Sequence, residues 1–89
     1  PKMKTLKAEM DKQTLDKDKM KAARNFTDKN AVSAYEARAV LSWLLFEDSK
    51  VELAQVLKDK VTDKENLDML ADAFSFESNK TGFLDSLKK

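Results

Sequence analysis

The chain contains one glycine, Gly82, and one proline, Pro1, in 89 residues. Tight hairpin turns depend on these two residue types, because glycine adopts backbone conformations that other residues avoid and proline presets its own dihedral angle. A chain that is nearly free of both lacks the turns that an all-β sandwich or barrel needs. The same scarcity leaves long segments free of helix breakers. The sequence therefore predicts an all-α fold.

The length of the chain suffices for one small domain and not for two. We interpret residues 1–89 as a single helical-repeat domain cut from a longer protein, because the chain starts with PKMKTLKAEM, which has neither an initiator methionine nor an apolar signal segment. No apolar run approaches the ~18 residues that a membrane-spanning helix requires.

The chain has no cysteine and no histidine. It therefore lacks disulfides, thiol nucleophiles, the commonest general base and the commonest zinc ligand. A single glycine also excludes a glycine-rich phosphate loop. We expect no catalytic residue, no cofactor and no metal site, and we predict that the chain is not an enzyme.

Capping boxes predict where several helices begin. In a capping box a serine or threonine hydroxyl accepts a free backbone amide, and a glutamate three residues later accepts the amide of that serine or threonine. Three boxes precede apolar runs of helical period, at Ser33–Glu36, Ser49–Glu52 and Thr62–Glu65. The other predicted helices run over residues 2–13 with Met3, Leu6 and Met10 on one face, from a cap at Asp16 or Asp18 with Met20, Ala23 and Phe26, and from a cap at Ser78 or Asn79. Together these signals predict about six helices.

The helix that follows Ser33 is the most apolar of the six. One face is predicted to carry Ala37, Val40, Leu41, Leu44 and Leu45, and Ala34, Ala39 and Trp43 extend that face. A helix that is apolar over most of its circumference is usually covered on two sides. We therefore expect it to be the most buried element, packed against both the preceding and the following helix pair.

The sequence also has an internal similarity with a period of about thirty residues. The segment Phe46–Ala54 aligns with Phe76–Leu84 at an offset of 30, and Leu15–Ala23 aligns with Phe46–Ala54 at an offset of 31. Pairs of helices that recur in this way bury their apolar faces by stacking. We predict a short, solenoid-like bundle of stacked helix pairs.

The aromatic residues and the apolar residue before each predicted cap are expected to be structural. Leu15, Phe46 and Phe76 suit hydrophobic staples, which fix the angle at which the chain enters the next helix. Phe26, Phe74 and Phe83 are expected in the core.

The repeated phrases carry a resemblance to a known family. LKAEMDKQTLDKDKMKAARNF, FEDSKVELAQVL and FSFESNKTGFL resemble the Phe-(Asp/Glu)-Ser-x-Lys-x-x-(Phe/Leu)-Ala repeats of bacterial domain-of-unknown-function family 4476, from about Leu6 to Leu87. The last copy departs from this pattern at Thr81 and Gly82. The resemblance implies a periplasmic, envelope or secreted bacterial setting, and it transfers no catalytic residue.

Charge is distributed unevenly along the chain, although the net charge is only +1. Residues 1–30 hold nine basic and five acidic residues, whereas residues 31–89 hold eight basic and eleven acidic ones. Acidic residues such as Glu9, Asp11, Asp16 and Asp18 interrupt the basic segment. We therefore favour a solvated helix face with mixed ion pairs and expect no nucleic-acid partner.

One segment superficially resembles a calcium-binding loop. Residues from Glu77 to Asp85 fill several of its positions, but the twelfth position is Lys88 where a bidentate glutamate is needed. The internal alignment also places residues 80–84 in a helix, so we favour a helix over a calcium loop.

The remaining candidate site is the polar side of the helix after Ser33. Tyr35 is the most plausible exposed aromatic residue, with Arg38 and Ser42 beside it on the same face. A tyrosine and an arginine are the residue types that most often anchor protein interfaces. These three residues are therefore the candidate partner-binding site, for another protein or for a neighbouring domain of the longer protein. The alternative, which we slightly favour from the sequence alone, is a surface tyrosine–arginine pair with no binding role.

The leading functional hypothesis is a non-catalytic helical interaction or structural module of a bacterial envelope or secreted protein. One alternative is an enzyme that uses carboxylates and lysine alone, which would need a concave pocket where Asp, Glu and Lys converge. Another is weak polyanion binding through the basic N-terminal third, which would weaken with added salt.

Overall fold

A computed structural model of the chain describes residues 2–88, with the side chains of residues 3–88. It contains five α-helices, α1 (Lys2–Asp11), α2 (Asp16–Lys29), α3 (Ala34–Ser42), α4 (Glu47–Leu57) and α5 (Glu77–Ser86), and a 3₁₀ helix at Lys64–Ala73 between α4 and α5. Helices account for 73% of the chain, and the described residues form no strand beyond one isolated parallel bridge between Val32 and Val61. The predicted all-α fold with six helices is confirmed. No helix among the described residues has both the length and the apolar character needed to cross a membrane.

The helices pack against one another around a single core. α1 packs on α2, α2 on α4, and α4 on both α3 and α5, while the 3₁₀ helix lies between α3 and α5. The largest fully buried side chains come from α1, α3, α4, the 3₁₀ helix and the segment before α3: Met10, Leu41, Leu53, Leu57, Leu70, Val32 and Val40. Apolar residues at helical spacing on each element account for this arrangement, because each helix covers the apolar face of its neighbours.

The capping box at the start of α3 is present as predicted. The Glu36 amide donates to the Ser33 hydroxyl oxygen at 3.1 Å, and the Ser33 amide donates to Glu36 Oε1 at 2.9 Å. Two amides that the first turn of a helix would otherwise leave free are satisfied in this way.

The other two predicted boxes are wrong. α4 begins at Glu47, two residues before Ser49, and its N-cap residue, Phe46, offers no side-chain acceptor. Thr62 does not cap a helix, because its hydroxyl donates to the Val32 carbonyl oxygen at 3.4 Å and the 3₁₀ helix begins only at Lys64. Both segments contain the residue types of a capping box, but each helix begins at a residue that does not follow the predicted cap.

The predicted caps of α2 and α5 are also corrected by the structure. The N-cap residues are Leu15 and Phe76, in extended backbone conformation, and not Asp16, Asp18, Ser78 or Asn79. The predicted hydrophobic staples are also wrong. Leu15, Phe46 and Phe76 are 59%, 66% and 60% exposed, so none of them packs in the core against its own helix.

α3 has the largest buried share of the helices, with Ala34, Ala37, Val40 and Leu41 inaccessible to solvent. It packs mainly on the 3₁₀ helix and on α4, both of which follow it in the chain. Trp43, the residue after α3, contacts the preceding helix α1: its ring centroid lies 5.8 Å from the Lys7 ammonium. Leu44 is buried, but the expectation for Leu45 is wrong: because α3 ends at Ser42, Leu45 is 67% exposed.

α5 is a regular helix through Gly82 despite the departure of that segment from the repeated phrase. Phe83 of α5 meets Phe74 edge to face, with ring centroids 5.8 Å apart, as expected of core residues. A side-chain carbon added at Gly82 would have no other atom within 4 Å, so this glycine is not required by close packing.

Candidate functional site

The predicted site residues lie together on the exposed side of α3. Tyr35, Arg38 and Ser42 are spaced by three and four residues, so successive turns of the helix bring them to one face. Tyr35 is 62% exposed, and Ser42 is exposed as well. The buried residues Ala34, Ala37 and Leu41 occupy the opposite face, which fixes the orientation of the site toward solvent.

The arginine of the site contacts both an aromatic ring and a carboxylate. Its guanidinium carbon lies 5.1 Å from the centroid of the Tyr35 ring, within the range of a cation–π interaction. Arg38 Nη1 is 3.5 Å from Asp72 Oδ2 on the 3₁₀ helix. Because the aspartate side chain is 68% exposed, water competes for this ion pair, and another carboxylate could replace it.

These groups line an open depression of about 340 Å³ between α3 and the 3₁₀ helix, which we call the α3 cleft. Its lining consists of Tyr35, Arg38, Ala39, Ser42, Asp72 and Ala73. The two alanines make part of the surface apolar, whereas the arginine supplies a planar set of donors suited to a carboxylate. The cleft therefore offers an aromatic surface, a cation and a small apolar floor.

Asp72 is the site residue that sequence reasoning did not assign to the cleft. In the sequence, Asp72 is distinguished only as an acidic residue four positions after Asp68. Its contact with Arg38 joins residues 34 positions apart, and no local spacing reveals such a contact.

Three carboxylates elsewhere are tied to backbone amides of other segments. Asp16 is 5% exposed, and its oxygens accept the amides of Leu45 and Phe46 at 2.8–3.0 Å. Burial raises the pKa of Asp16, but hydrogen bonds from these amides and the Ser49 hydroxyl, together with the charge of Lys19, outweigh burial and lower that pKa below its ordinary value.

Glu47 and Asp63 act in the same way. Glu47 accepts the amides of Ser75 and Phe76 and the side-chain amide of Asn79, and these bonds lower the pKa of Glu47 although partial desolvation opposes them. Asp63 accepts the Asn66 side-chain amide and the Ala34 backbone amide at 2.7 Å, and both bonds lower the pKa of Asp63. These carboxylates serve as helix and loop caps supplied from a neighbouring part of the chain.

A second depression, of about 410 Å³, lies between α1 and α2. It brings together Glu9, Asp18 and Lys21, the residue types that an enzyme based on carboxylates and lysine would need. All three side chains are exposed, and Glu9 is 3.7 Å from Lys12. The charged side chains of this depression are therefore in contact with water. Acid–base groups act most strongly where water is excluded.

The segment that resembles a calcium loop lies in a helix. α5 covers Glu77–Ser86, so its backbone cannot wrap around an ion as a calcium loop does. Among residues 2–88, no cluster of three or more Asp and Glu side chains is arranged to hold a metal ion.

Comparison with known proteins gives one match. A family model described as "Domain of unknown function (DUF4476)" matches residues 1–87. No curated protein and no solved structure matches the chain.

Proposed function

The chain belongs to the DUF4476 family, and from that premise we propose that it is a non-catalytic protein-interaction module. In this proposal it forms part of a bacterial envelope or secreted protein, as the family resemblance implies. The partner is another protein or a neighbouring domain of the same protein, and it binds in the α3 cleft.

The observation that supports this proposal is the grouping of Tyr35, Arg38 and Asp72 in one open cleft. Tyrosine and arginine are enriched among the residues that dominate binding energy at protein interfaces. Stacking on the tyrosine ring holds the guanidinium in place before any partner arrives, which reduces the entropy lost on binding.

The same geometry specifies what a partner should present. A carboxylate side chain could take the place of Asp72 on the arginine, because the existing contact is long, at 3.5 Å, and open to water. An apolar group beside that carboxylate would pack on the tyrosine ring and on Ala39. The proposal therefore favours an acidic residue flanked by an apolar one.

The proposal also includes a repeated helix pair as the unit of the fold. Supporting this, α2, α4 and α5 begin at residues 16, 47 and 77, each directly after an exposed apolar residue in extended conformation. Stacked helix pairs present extended surfaces, which suits a module that binds other proteins.

Site-specific photo-crosslinking in the full-length protein tests the proposal. A photoreactive phenylalanine analogue is placed at Tyr35, and a matched control carries it at Glu52, an exposed residue of α4 outside the cleft. We expect a discrete protein adduct from position 35 that is absent from position 52 and is lost when Arg38→Ala is added. Identical adducts from both positions, or none from position 35, would contradict the α3 cleft as the binding site.

A further inference from the structure

The contact between Arg38 and Asp72 is too long for a strong charge-assisted hydrogen bond. A guanidinium binds a carboxylate best through two parallel N–H donors, at N–O distances of about 2.7–2.9 Å. The contact in the α3 cleft, from Asp72 Oδ2 to Arg38 Nη1, is longer than this, at 3.5 Å. A carboxylate that approaches from solvent can therefore form a stronger contact with the same guanidinium than Asp72 does.

Asp72 is the partner of the pair that can leave. Its side chain is 68% exposed, whereas the side chain of Arg38 is 34% exposed. The Arg38 guanidinium also lies over the Tyr35 ring, with 5.1 Å between the guanidinium carbon and the ring centroid. This cation–π contact holds the arginine in the cleft whether or not Asp72 is paired with it. Rotation of the aspartate side chain into water therefore frees the guanidinium and leaves it in place.

The position of Asp72 in its own helix does not explain a carboxylate there. Asp72 lies in the last turn of the 3₁₀ helix Lys64–Ala73. The C-terminal end of a helix carries partial negative charge, so an acidic side chain in the last turn is unfavourable. Among the described side chains, Arg38 provides the one ion pair of Asp72, and the Asp72 carboxylate accepts no hydrogen bond. The favourable contact of this carboxylate is therefore the one with Arg38.

We propose, on the basis of the proposed function of the α3 cleft, that Asp72 is an internal competitor for Arg38. A partner carboxylate must displace Asp72, so it gains only the difference between its own contact and the existing one. A small anion gains little from this exchange. A carboxylate beside an apolar group also gains contact with the Tyr35 ring and with Ala39. The competitor therefore makes the cleft selective for a peptide segment that presents both groups.

The ion pair is weak enough for a partner to displace it. Exposed ion pairs favour the paired state by about one and a half- to fivefold. The apparent dissociation constant is the intrinsic constant divided by the fraction of molecules in which the arginine is free. Removal of the Asp72 charge should therefore strengthen binding by about two- to sixfold. Because salt screens the Arg38–Asp72 pair, this gain should shrink as salt is added.

Peptide titration of the 89-residue chain tests the proposal. The probe is acetyl-Leu-Glu-Leu-amide, and its control has glutamine in place of the glutamate. Amide chemical shifts of residues 35–42 and 72–73 in NMR spectra report the site and the affinity. Asp72→Asn removes the competing charge and keeps the shape of the side chain. Asp68→Asn is the matched control, because it removes the same charge from an exposed position on the same helix outside the cleft.

We expect Asp72→Asn to bind the glutamate peptide about two- to sixfold more tightly than the original chain does, and Asp68→Asn to bind it as the original chain does. The glutamine peptide should bind all three chains more weakly than the glutamate peptide. The gain from Asp72→Asn should be smaller in about 0.5 M sodium chloride than in about 0.02 M.

The internal competitor and the cleft itself can fail separately. If the glutamate peptide binds Asp72→Asn no more tightly than the original chain, Asp72 does not compete with it, although the α3 cleft remains a binding site. An equal gain from Asp68→Asn would show a general effect of charge and would also overturn the competitor. If the glutamate peptide binds neither the original chain nor Asp72→Asn, the cleft does not bind carboxylates, and both proposals are wrong.

Discussion

The start of α3 and the start of the 3₁₀ helix lie side by side, joined at Val32 and Val61, yet their first amides are satisfied in different ways. At α3, Ser33 and Glu36 form a reciprocal box, and Asp63 accepts the Ala34 amide from the neighbouring segment. At the 3₁₀ helix no side chain caps the backbone, and the Asn66 amide donates to the carbonyl oxygen of Asp63 only three residues earlier.

This difference shows that a side chain at the start of one helix can cap the start of a different helix. Asp63 and Thr62 direct their side chains to α3 and to the Val32 carbonyl, so they do not cap the element that follows them. The Asn66 amide instead forms the three-residue hydrogen bond of a 3₁₀ turn. The missing side-chain cap does not by itself account for this geometry, because α2, α4 and α5 also begin without one and are α-helical. The ten residues of this 3₁₀ helix exceed the three or four that are common, so the tighter geometry extends far beyond the first turn.

The largest expected effect comes from the core residues of the two helices. Leu41 of α3 and Leu70 of the 3₁₀ helix are both 0% exposed. We expect Leu41→Ala and Leu70→Ala each to lower the free energy of unfolding by about 2–5 kcal/mol, because each removes buried apolar surface and leaves a cavity. Urea unfolding followed by circular dichroism measures both. If Leu70→Ala lowers the free energy of unfolding by less than about half as much as Leu41→Ala does, the 3₁₀ helix packs more loosely than α3.

Caps provided by a neighbouring segment should make the fold sensitive to acid. The pKa values of Asp16 and Asp63 are lowered in the folded chain, so each carboxylate stabilises the fold above its ordinary pKa and loses that contribution as the pH falls through its lower folded value. We expect stability to be nearly constant around neutral pH and to fall below about pH 4. Thermal unfolding between neutral pH and about pH 2 measures this decline.

The buried cap should matter more than the exposed one. Asp16→Asn should cost about 1–3 kcal/mol at neutral pH, since the loops before α4 lose a charged acceptor that is nearly inaccessible to water. Asp16→Asn should also make the loss of stability at acid pH less steep. Asp63→Asn should have a smaller effect and should speed hydrogen exchange at the Ala34 amide but not at the Asn66 amide. Faster exchange at both amides would contradict the assignment of Asp63 to α3.

Ser33 and Thr62 hold matching positions at the two helix starts and should respond unequally to substitution. Ser33→Ala removes one partner of a complete capping box and should cost about 1 kcal/mol. Thr62→Ala removes only a long hydrogen bond of 3.4 Å and should cost less than about 0.5 kcal/mol. Equal losses in urea unfolding would mean that Thr62 caps its own helix after all.

The smallest effect is expected on the exposed side of α3. Tyr35→Ala and Arg38→Ala should each cost less than about 1 kcal/mol, because the tyrosine is 62% exposed and the arginine forms a solvated ion pair. Thermal unfolding of the isolated chain compares them with Leu41→Ala. A loss for Tyr35→Ala as large as that for Leu41→Ala would contradict the assignment of this face to solvent, and with it the α3 cleft.

Local spacing in the sequence predicted the parts of the fold that depend on local contacts. The helical period of the apolar residues gave six helices, and the Ser33–Glu36 box, whose partners are three residues apart, gave the start of α3 correctly. The face that carries Tyr35, Arg38 and Ser42 also followed from spacing along one helix.

Contacts between distant segments decided the rest. Asp16 was expected to cap its own helix. Its carboxylate instead accepts the backbone amides of Leu45 and Phe46, so Asp16 is a capping residue, as predicted, but for a different segment. Asp72 lies in the α3 cleft because the 3₁₀ helix packs on α3. Exposure of Phe46 and Phe76 was missed because an apolar residue just before a helix matches the staple pattern in sequence whether or not its side chain packs on that helix.

The hydrogen bonds that link distant segments also bear on how quickly the chain folds. Long-range side-chain hydrogen bonds within residues 2–88 join residues that are 28 to 33 positions apart, among them Asp16 with Leu45, Asp16 with Ser49, and Gln55 with Ser86. The entropy lost in closing a loop depends on its length, so these contacts carry nearly equal closure entropies. The α2–α4 and the α4–α5 halves can therefore nucleate in either order. Because most of the chain is helical, local contacts predominate, and they favour folding on a millisecond or faster timescale.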